Sequence, residues 1–144
     1  MLPQNPLIAI FSLAYEPLIG GAEIAVKEIT KRGTTLDFTC FTMRFDAGWH
    51  EEETIGRVKV IRVGRGLRSE ELAGGRYYGR PFAKILYIFV AWRRAEREHR
   101  KIPVSAIWAI MASYGGMAAL LFKLRHPRGA RSRSRNSGCD RPCV

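Results

Sequence analysis

Leu7-Ile8-Ala9-Ile10-Phe11-Ser12-Leu13, followed after one residue by Tyr15-Glu16-Pro17-Leu18-Ile19-Gly20-Gly21-Ala22-Glu23, decides the fold. The first stretch is apolar almost throughout and is bounded by Pro6 and by the Pro17/Gly20/Gly21 cluster, the pattern of a strand covered on both faces. Immediately beyond it Ala22, Ala25, Val26 and Ile29 recur at helical spacing, and Glu23 precedes Lys27 in the favourable i,i+4 order. A helix is therefore expected as far as Gly33. A buried strand, a glycine corner and an amphipathic helix together form the first half of a parallel crossover unit.

Outward from that unit the alternation continues. Residues 38–43 (FTCFTM) and 58–63 (VKVIRV) read as the second and third strands, rich in aromatic and β-branched side chains. The polar, acidic stretch between them, residues 44–56, reads as a loop. Gly64 and Gly66 end the third strand, and residues 65–80 form a long connection containing Tyr77 and Tyr78. Pro81 suits the first turn of a long helix in which Phe82, Ile85, Leu86, Phe89 and Trp92 mark one face. Residues 105–111 (SAIWAIM) read as a fourth buried strand and residues 112–116 as a turn. The last helix carries Met117, Leu120, Leu121 and Leu124 at i, i+3, i+4, i+7, with Pro127 beyond its end. The expected class is α/β, a Rossmann-like, mainly parallel sheet with flanking helices.

Composition limits the alternatives. With 144 residues, 47% apolar and 26% charged, the chain accommodates one domain with a real core. The net charge of +11 is unevenly spread: from Arg125 onward six arginines face one acid, a net of +5, leaving +6 for residues 1–124. Beyond Pro127 the apolar periodicity vanishes, and residues 127–144 are expected to be a disordered basic tail. The break falls where a fifth strand is due, as a shifted reading frame or another unnatural terminus would produce. Three cysteines, Cys40, Cys139 and Cys143, do not make a disulfide framework, which suggests a reducing, cytoplasmic setting. No secretory signal is visible, and the longest apolar stretch is far below the ~20 residues needed to cross a bilayer.

The chemistry is expected at the glycine corner. In an open parallel sheet ligands bind beyond the carboxyl ends of the strands. A helix start there offers amide hydrogens and a positive dipole end to an anion. Gly20 and Gly21 permit positive φ and close backbone approach, which suits a phosphate or a sugar hydroxyl; a plain tight turn is the competing explanation. Neither a G-x-G-x-x-G fingerprint nor a Walker A loop is present, which counts against nicotinamide and nucleoside triphosphate enzymes.

Pro17, Gly20, Gly21, Ala22, Glu23 and the helix through Lys31 resemble the opening of GT-B, family-4-like glycosyltransferases. Residues 107–116, ending in Ser113, Tyr114, Gly115 and Gly116, resemble the strand and loop that border the acceptor cleft in those enzymes. The resemblance covers about residues 7–126, read as the acceptor-side N-terminal domain, an incomplete half of a GT-B fold. It implies transfer of a sugar from a nucleotide-sugar to an acceptor, without an essential metal or other cofactor. Gly20, Gly21, Ala22, Glu23, Ser113, Tyr114, Gly115 and Gly116 are the substrate-binding residues it implies. Two departures matter. Where many relatives carry a histidine after the fourth strand, this chain has Met111, Ala112, Ser113 and Tyr114, so no catalytic residue is assigned except through Ser113 or Tyr114. The donor-binding domain with its Glu-x7-Glu motif is absent, so the fragment alone is expected to be inactive.

Other constellations carry less. His50 beside Glu51, Glu52 and Glu53 is expected to be a solvated loop rather than a metal or acid/base cluster. His99 should lie on an exposed helix end, and His126 with Cys139 and Cys143 supplies at most three ligands, so no metal is expected. The basic run 93–101 behind an aromatic helix face suits an anionic membrane, at the inner face if cytoplasmic; a core-facing stripe with a solvated charged end is preferred. The alternative of a different class is an RNA-binding protein acting through Ser132-Arg133-Ser134-Arg135. No aromatics accompany those arginines, and no specific nucleic acid is expected.

Overall fold

The computed structural model describes residues 5–18, 20–66 and 81–127. The basic tail beyond residue 127, with Cys139, Cys143 and the Arg/Ser run, lies outside the described residues, as do Ile19 and most of the 65–80 connection.

The sheet has five strands in the order β3-β4-β2-β1-β5. They are β1 (Leu7–Phe11), β2 (Asp37–Met43), β3 (Glu52–Ile55), β4 (Val58–Val63) and β5 (Val104–Ala109). β1 lies between β2 and β5 and runs parallel to both, with Ala9 level with Thr39 on one side and Ile107 on the other. β4 continues the parallel run, and β3 closes that edge antiparallel to it. The expected Rossmann-like, mainly parallel sheet is what the chain forms.

Helix α1 (Gly21–Arg32) covers one face of the sheet; α2 (Pro81–Lys101) and α3 (Tyr114–Arg125) cover the other. Because successive side chains of a strand point to opposite faces, β1 feeds two cores. Leu7, Ala9 and Phe11 join Phe41, Ile61 and Phe122 on the α2/α3 side. Ile10 joins Val26, Phe38, Cys40, Val58 and Val60 on the α1 side. Phe11 stacks on Phe41 at 5.3 Å between ring centroids and meets Phe122 at 6.1 Å. Tyr87 ties α2 to the sheet, its Oη lying 3.0 Å from the Ser12 carbonyl oxygen and 2.9 Å from that of Phe41.

Four sequence expectations need correction. The polar stretch after β2 contains β3, a four-residue edge strand. Gly56, at φ 62°, supplies the positive dihedral that a two-residue hairpin connection requires. Second, α3 begins at Tyr114, so Gly115 and Gly116 belong to its first turn and not to the preceding loop. Third, α2 does not bury its large apolar stripe. Its core-facing residues are Tyr87, Ala91, Ala95 and Glu98, while Phe82, Ile85, Leu86 and Phe89 are exposed, Phe82 to 84%. Helices α1 and α3 behave alike: Val26, Thr30, Ala118, Ala119 and Phe122 are buried, whereas Ile24, Ile29, Met117, Leu120 and Leu124 are exposed. Small residues let each helix lie close on the pleated sheet and turn the longer side chains away. Fourth, His99 is not on an exposed helix end: it is half-buried, its Nδ1 accepts the Val104 amide hydrogen at 2.9 Å, and its ring meets Phe122 edge-on. Burial, then the neighbouring His126, lowers its pKa.

The core carries a stability signature at alkaline pH. Burial pushes the Cys40 thiol from 9.0 up to about 12 and the Tyr15 phenol from 10.0 up to about 12. Burial also raises Tyr87 well above 10.0. When the chain unfolds, all three ionise at their ordinary values, whereas the folded chain keeps them protonated. Their contribution is therefore complete below about pH 9 and is lost as pH rises toward 12, each group costing about 1.4 kcal/mol per pH unit once its unfolded form ionises. Urea unfolding followed between about pH 8 and pH 11 should show a midpoint that falls from pH 9 upward. Cys40→Ala should remove the part that begins near pH 9; a flat profile would contradict the burial of these groups.

Candidate functional site

The chain reverses its direction of travel across the sheet at β1. From β1 it moves by way of α1 to β2 and then β4; from β4 it returns by way of α2 to β5, on the other side of β1. The helices of the two crossovers lie on opposite faces of the sheet. The carboxyl ends of β1 and β5 therefore border a topological switch point, where an open parallel sheet leaves a crevice for a ligand. Both segments singled out in the sequence meet there: the corner from β1 into α1 and the corner from β5 into α3. The amide of Ile110 donates to the Phe11 carbonyl oxygen at 2.8 Å and fastens one corner to the other strand's end.

At the first corner Gly20 caps α1. Its amide donates to Glu23 Oε2 at 2.9 Å, and its carbonyl accepts from the Ile24 amide at 3.1 Å. One of the amides expected to be bare is thus occupied by the helix's own Glu23, which makes Glu23 a capping residue. The amides of Gly21 and Ala22 have no acceptor among the described residues. Neither glycine needs a positive φ: Gly20 is extended at φ −111°, and Gly21 is helical. What they supply is room. A Cβ on Gly20 would stand 2.7 Å from Glu23 Oε2, whereas one on Gly21 would meet none of the described residues within 4 Å. Among the described residues nothing fills the space over Gly21, at the positive end of the α1 dipole, which leaves it to a ligand.

Arg62 fixes the wall behind this corner. It is 4% exposed, on the α1 side of β4. Its Nη2 donates to the Glu16 carbonyl oxygen at 2.8 Å and its Nη1 to that of His50 at 3.1 Å. The same guanidinium pairs with Glu53 and lies 5.3 Å from the Trp49 ring centroid. Glu16 in turn pairs with Lys27 of α1. One buried arginine thus holds the loops after β1 and β2 and the edge strand together. Nothing in the alternating VKVIRV pattern of β4 marks this arginine as buried.

At the second corner Met111 adopts φ 64°, a left-handed conformation uncommon for a non-glycine residue, and its side chain is exposed. Ser113 is exposed at the N-cap of α3 without a capping bond from its side chain, so its hydroxyl is available. Tyr114 leans on the Phe11/Phe122 core. Gly115 is a packing glycine: a Cβ there would lie 2.8 Å from the Phe11 carbonyl oxygen and 3.0 Å from that of Ile110. Gly116 sits less tightly, with the Met111 carbonyl oxygen at 3.2 Å from its Cβ position.

Sequence reasoning missed a cavity of about 390 Å³ at the carboxyl ends of β2 and β4. Met43, Phe45, Val63, Leu86, Tyr87 and Val90 give it an apolar lining, and Arg44 and Arg65 stand among its walls. Gly64 and Gly66, both at positive φ, turn the chain around it, and Gly66 backs onto the Ala47 amide with no space for a side chain. Those two glycines were its one trace in the sequence.

Glu51 pairs with Arg44 at 3.1 Å, Glu52 with Lys59 at 3.3 Å and also with Arg94, and Glu53 with Arg62, so the acidic run diverges to separate bases. His126 Nε2 lies 2.9 Å from Glu96 Oε1. Among the described residues no three His, Cys, Asp or Glu side chains converge as metal ligands.

No family model and no curated protein matches the chain. A solved structure of sucrose-phosphate synthase from Thermosynechococcus elongatus is similar to it, with a TM-score of 0.57 at 17% identity over 85% of this chain. The match spans 30% of that structure's length. At this identity the likeness is one of fold, a Rossmann-like α/β sheet with flanking helices.

Proposed function

We propose that this chain is the acceptor-side, N-terminal half of a GT-B, family-4-like glycosyltransferase that moves a sugar from a nucleotide-sugar to an acceptor. One observation carries the proposal: the two corners that resemble that family lie side by side at the topological switch point of a sheet similar to that of sucrose-phosphate synthase. The free amides of Gly21 and Ala22, with the α1 dipole behind them, suit the diphosphate of a donor as negative charge develops on its leaving oxygen. Ser113 and the turned backbone at Met111 suit acceptor hydroxyls, and the apolar cavity at the carboxyl ends of β2 and β4, at the same end of the sheet, suits an acceptor's nonpolar part. On this reading the described residues form one wall of the crevice, and nucleoside diphosphates bind it weakly.

Gly21→Leu tests this cleanly. The substitution fills open space without strain and replaces a poor helix former, so stability should hold or rise by about 0.5–1 kcal/mol. Millimolar thermal-shift stabilisation by uridine, guanosine or adenosine diphosphate should disappear in the variant. Equal stabilisation of both proteins, or of neither, would remove the role assigned to this corner.

A further inference from the structure

We propose that the outward face of α2 and α3 docks on an anionic lipid bilayer. This inference concerns a different surface from the crevice and holds whether or not the chain takes part in sugar transfer.

Helices on one face of a sheet ordinarily point polar residues at water. Here the outer pole of α2 carries Phe82, Ile85, Leu86 and Phe89, spaced i, i+3, i+4, i+7, all about half exposed or more. Beside it the outer pole of α3 carries Met117, Leu120 and Leu124, the last 67% exposed. The contact of His99 with Phe122 and that of Glu96 with His126 set the two helices side by side. The C-terminal part of α2 thus lies beside α3, and exposed apolar side chains in this number on one outer face mark a site of association.

Charge selects the occupant. Between Pro81 and Arg125 there are eight Lys and Arg residues against two glutamates. Both glutamates are engaged locally: Glu98 is buried and bonded to Lys59 and Lys101, and Glu96 receives Trp92 Nε1 at 3.2 Å and faces His126. Arg93, Arg97 and Arg100 follow Phe89 along the outer side of α2 and form no ion pair among the described residues. Arg125 joins them across the groove between the helices, whose floor includes Trp92 and Leu121. Large apolar side chains on one stretch of an outer face, continued by unpaired arginines, suit acyl chains and phosphate headgroups together. The exposed Ile24 and Ile29 of α1 lack this company: Lys31 there pairs with Glu28 and Lys27 with Glu16. A protein partner with an apolar patch would not by itself require the arginines. No described helix is long and apolar enough to cross a membrane, so the contact is peripheral. Leu86 belongs both to the outer pole and to the apolar cavity, so docking lays the cavity's rim against the lipid.

The test is flotation of the full chain with vesicles of phosphatidylcholine alone and with about 30% phosphatidylglycerol. The chain should float with the anionic vesicles and not with the neutral ones, and salt should weaken binding. Changing Arg93, Arg97 and Arg100 to Gln should lower partitioning on the order of 100-fold, at about tenfold or less per charge. Phe82→Ser with Phe89→Ser should lower it comparably. These positions are exposed, so the variants should keep the wild-type circular dichroism, and the lipid comparison with unaltered protein stands without them. Gln at Arg128, Arg131, Arg133, Arg135 and Arg141 should leave most binding in place. Binding indifferent to lipid charge, binding abolished by the tail substitutions but not by those in α2, or phenylalanine variants that lose only self-association would each overturn the proposal.

Discussion

Replacing Arg62 with methionine should lower the stability of the chain by about 3 kcal/mol, which for a domain of this size shifts the melting temperature by roughly 10 °C. Methionine keeps most of the aliphatic volume, so the loss comes from charge-assisted bonds. Two carbonyl oxygens, those of Glu16 and His50, lose their donors, and Glu53 loses its partner. A hydrogen bond to a charged group contributes about 1.5–3 kcal/mol, but Arg62 Nε is buried without a partner, so removing it recovers part of the loss. Lysine should rescue little, because a single ammonium cannot reach groups that the planar guanidinium spans. Glu53→Gln should cost less than half as much, since that side chain is one-third exposed and readily resolvated. Urea unfolding with an unchanged slope would measure the difference; a loss for Arg62→Met under about 1 kcal/mol would show that the loops hold without it.

Gly115→Val should be of similar size for a different reason. The new Cβ would press on the Phe11 and Ile110 carbonyl oxygens. Both are backbone atoms, and Phe11 O already accepts the Ile110 amide, so neither can yield without pulling β1 from β5. Overpacking costs about 1–3 kcal/mol, and the valine methyls add to it, against a gain of under 1 kcal/mol from replacing glycine in a helix. A net loss of about 3 kcal/mol is expected for valine and about 1–2 kcal/mol for alanine. Gly116→Ala, with one contact at 3.2 Å, should be close to neutral. If Gly115→Ala proved as stable as Gly116→Ala, α3 would not approach β1 as closely as described. Any tilt of α3 also moves Ser113, so the valine variant should lose ligand response at the crevice in proportion to its instability.

What could be read from the sequence follows from how each element is buried. β1 and β2 are covered on both faces, and their largely apolar runs show that directly, whereas β4, equally buried, interrupts its run with Lys59 and Arg62. β3 escaped notice because an edge strand bearing Glu52 and Glu53 looks like a polar loop until Lys59, Arg94 and Arg62 are seen to balance it. Helical periodicity located α1, α2 and α3 but misjudged which pole faces inward. Spacing alone does not distinguish Ala91 and Ala95 packed on a sheet from Phe82 and Phe89 turned away from it. Glu98, buried on the inner side of α2, reads as a surface residue until its bonds to Lys101 and Lys59 appear; burial opposes its charge, yet those bonds hold its carboxyl below the ordinary range. At the crevice the glycines were legible as corners. Their division of labour was not, since room for a ligand at Gly21, a cap at Gly20 and close packing at Gly115 depend on neighbours distant in sequence.

The most direct measurement is an amide nitrogen–proton correlation spectrum recorded while a nucleoside diphosphate is added to millimolar concentration. The largest shifts should fall on Gly21 and Ala22, with a second group at Met111 to Gly116, while amides at the opposite end of the sheet, near Gly33 and Val104, stay in place. Shifts gathered at that opposite end, or a spectrum that does not change at all, would contradict a sugar-transfer crevice at the β1/β5 edge.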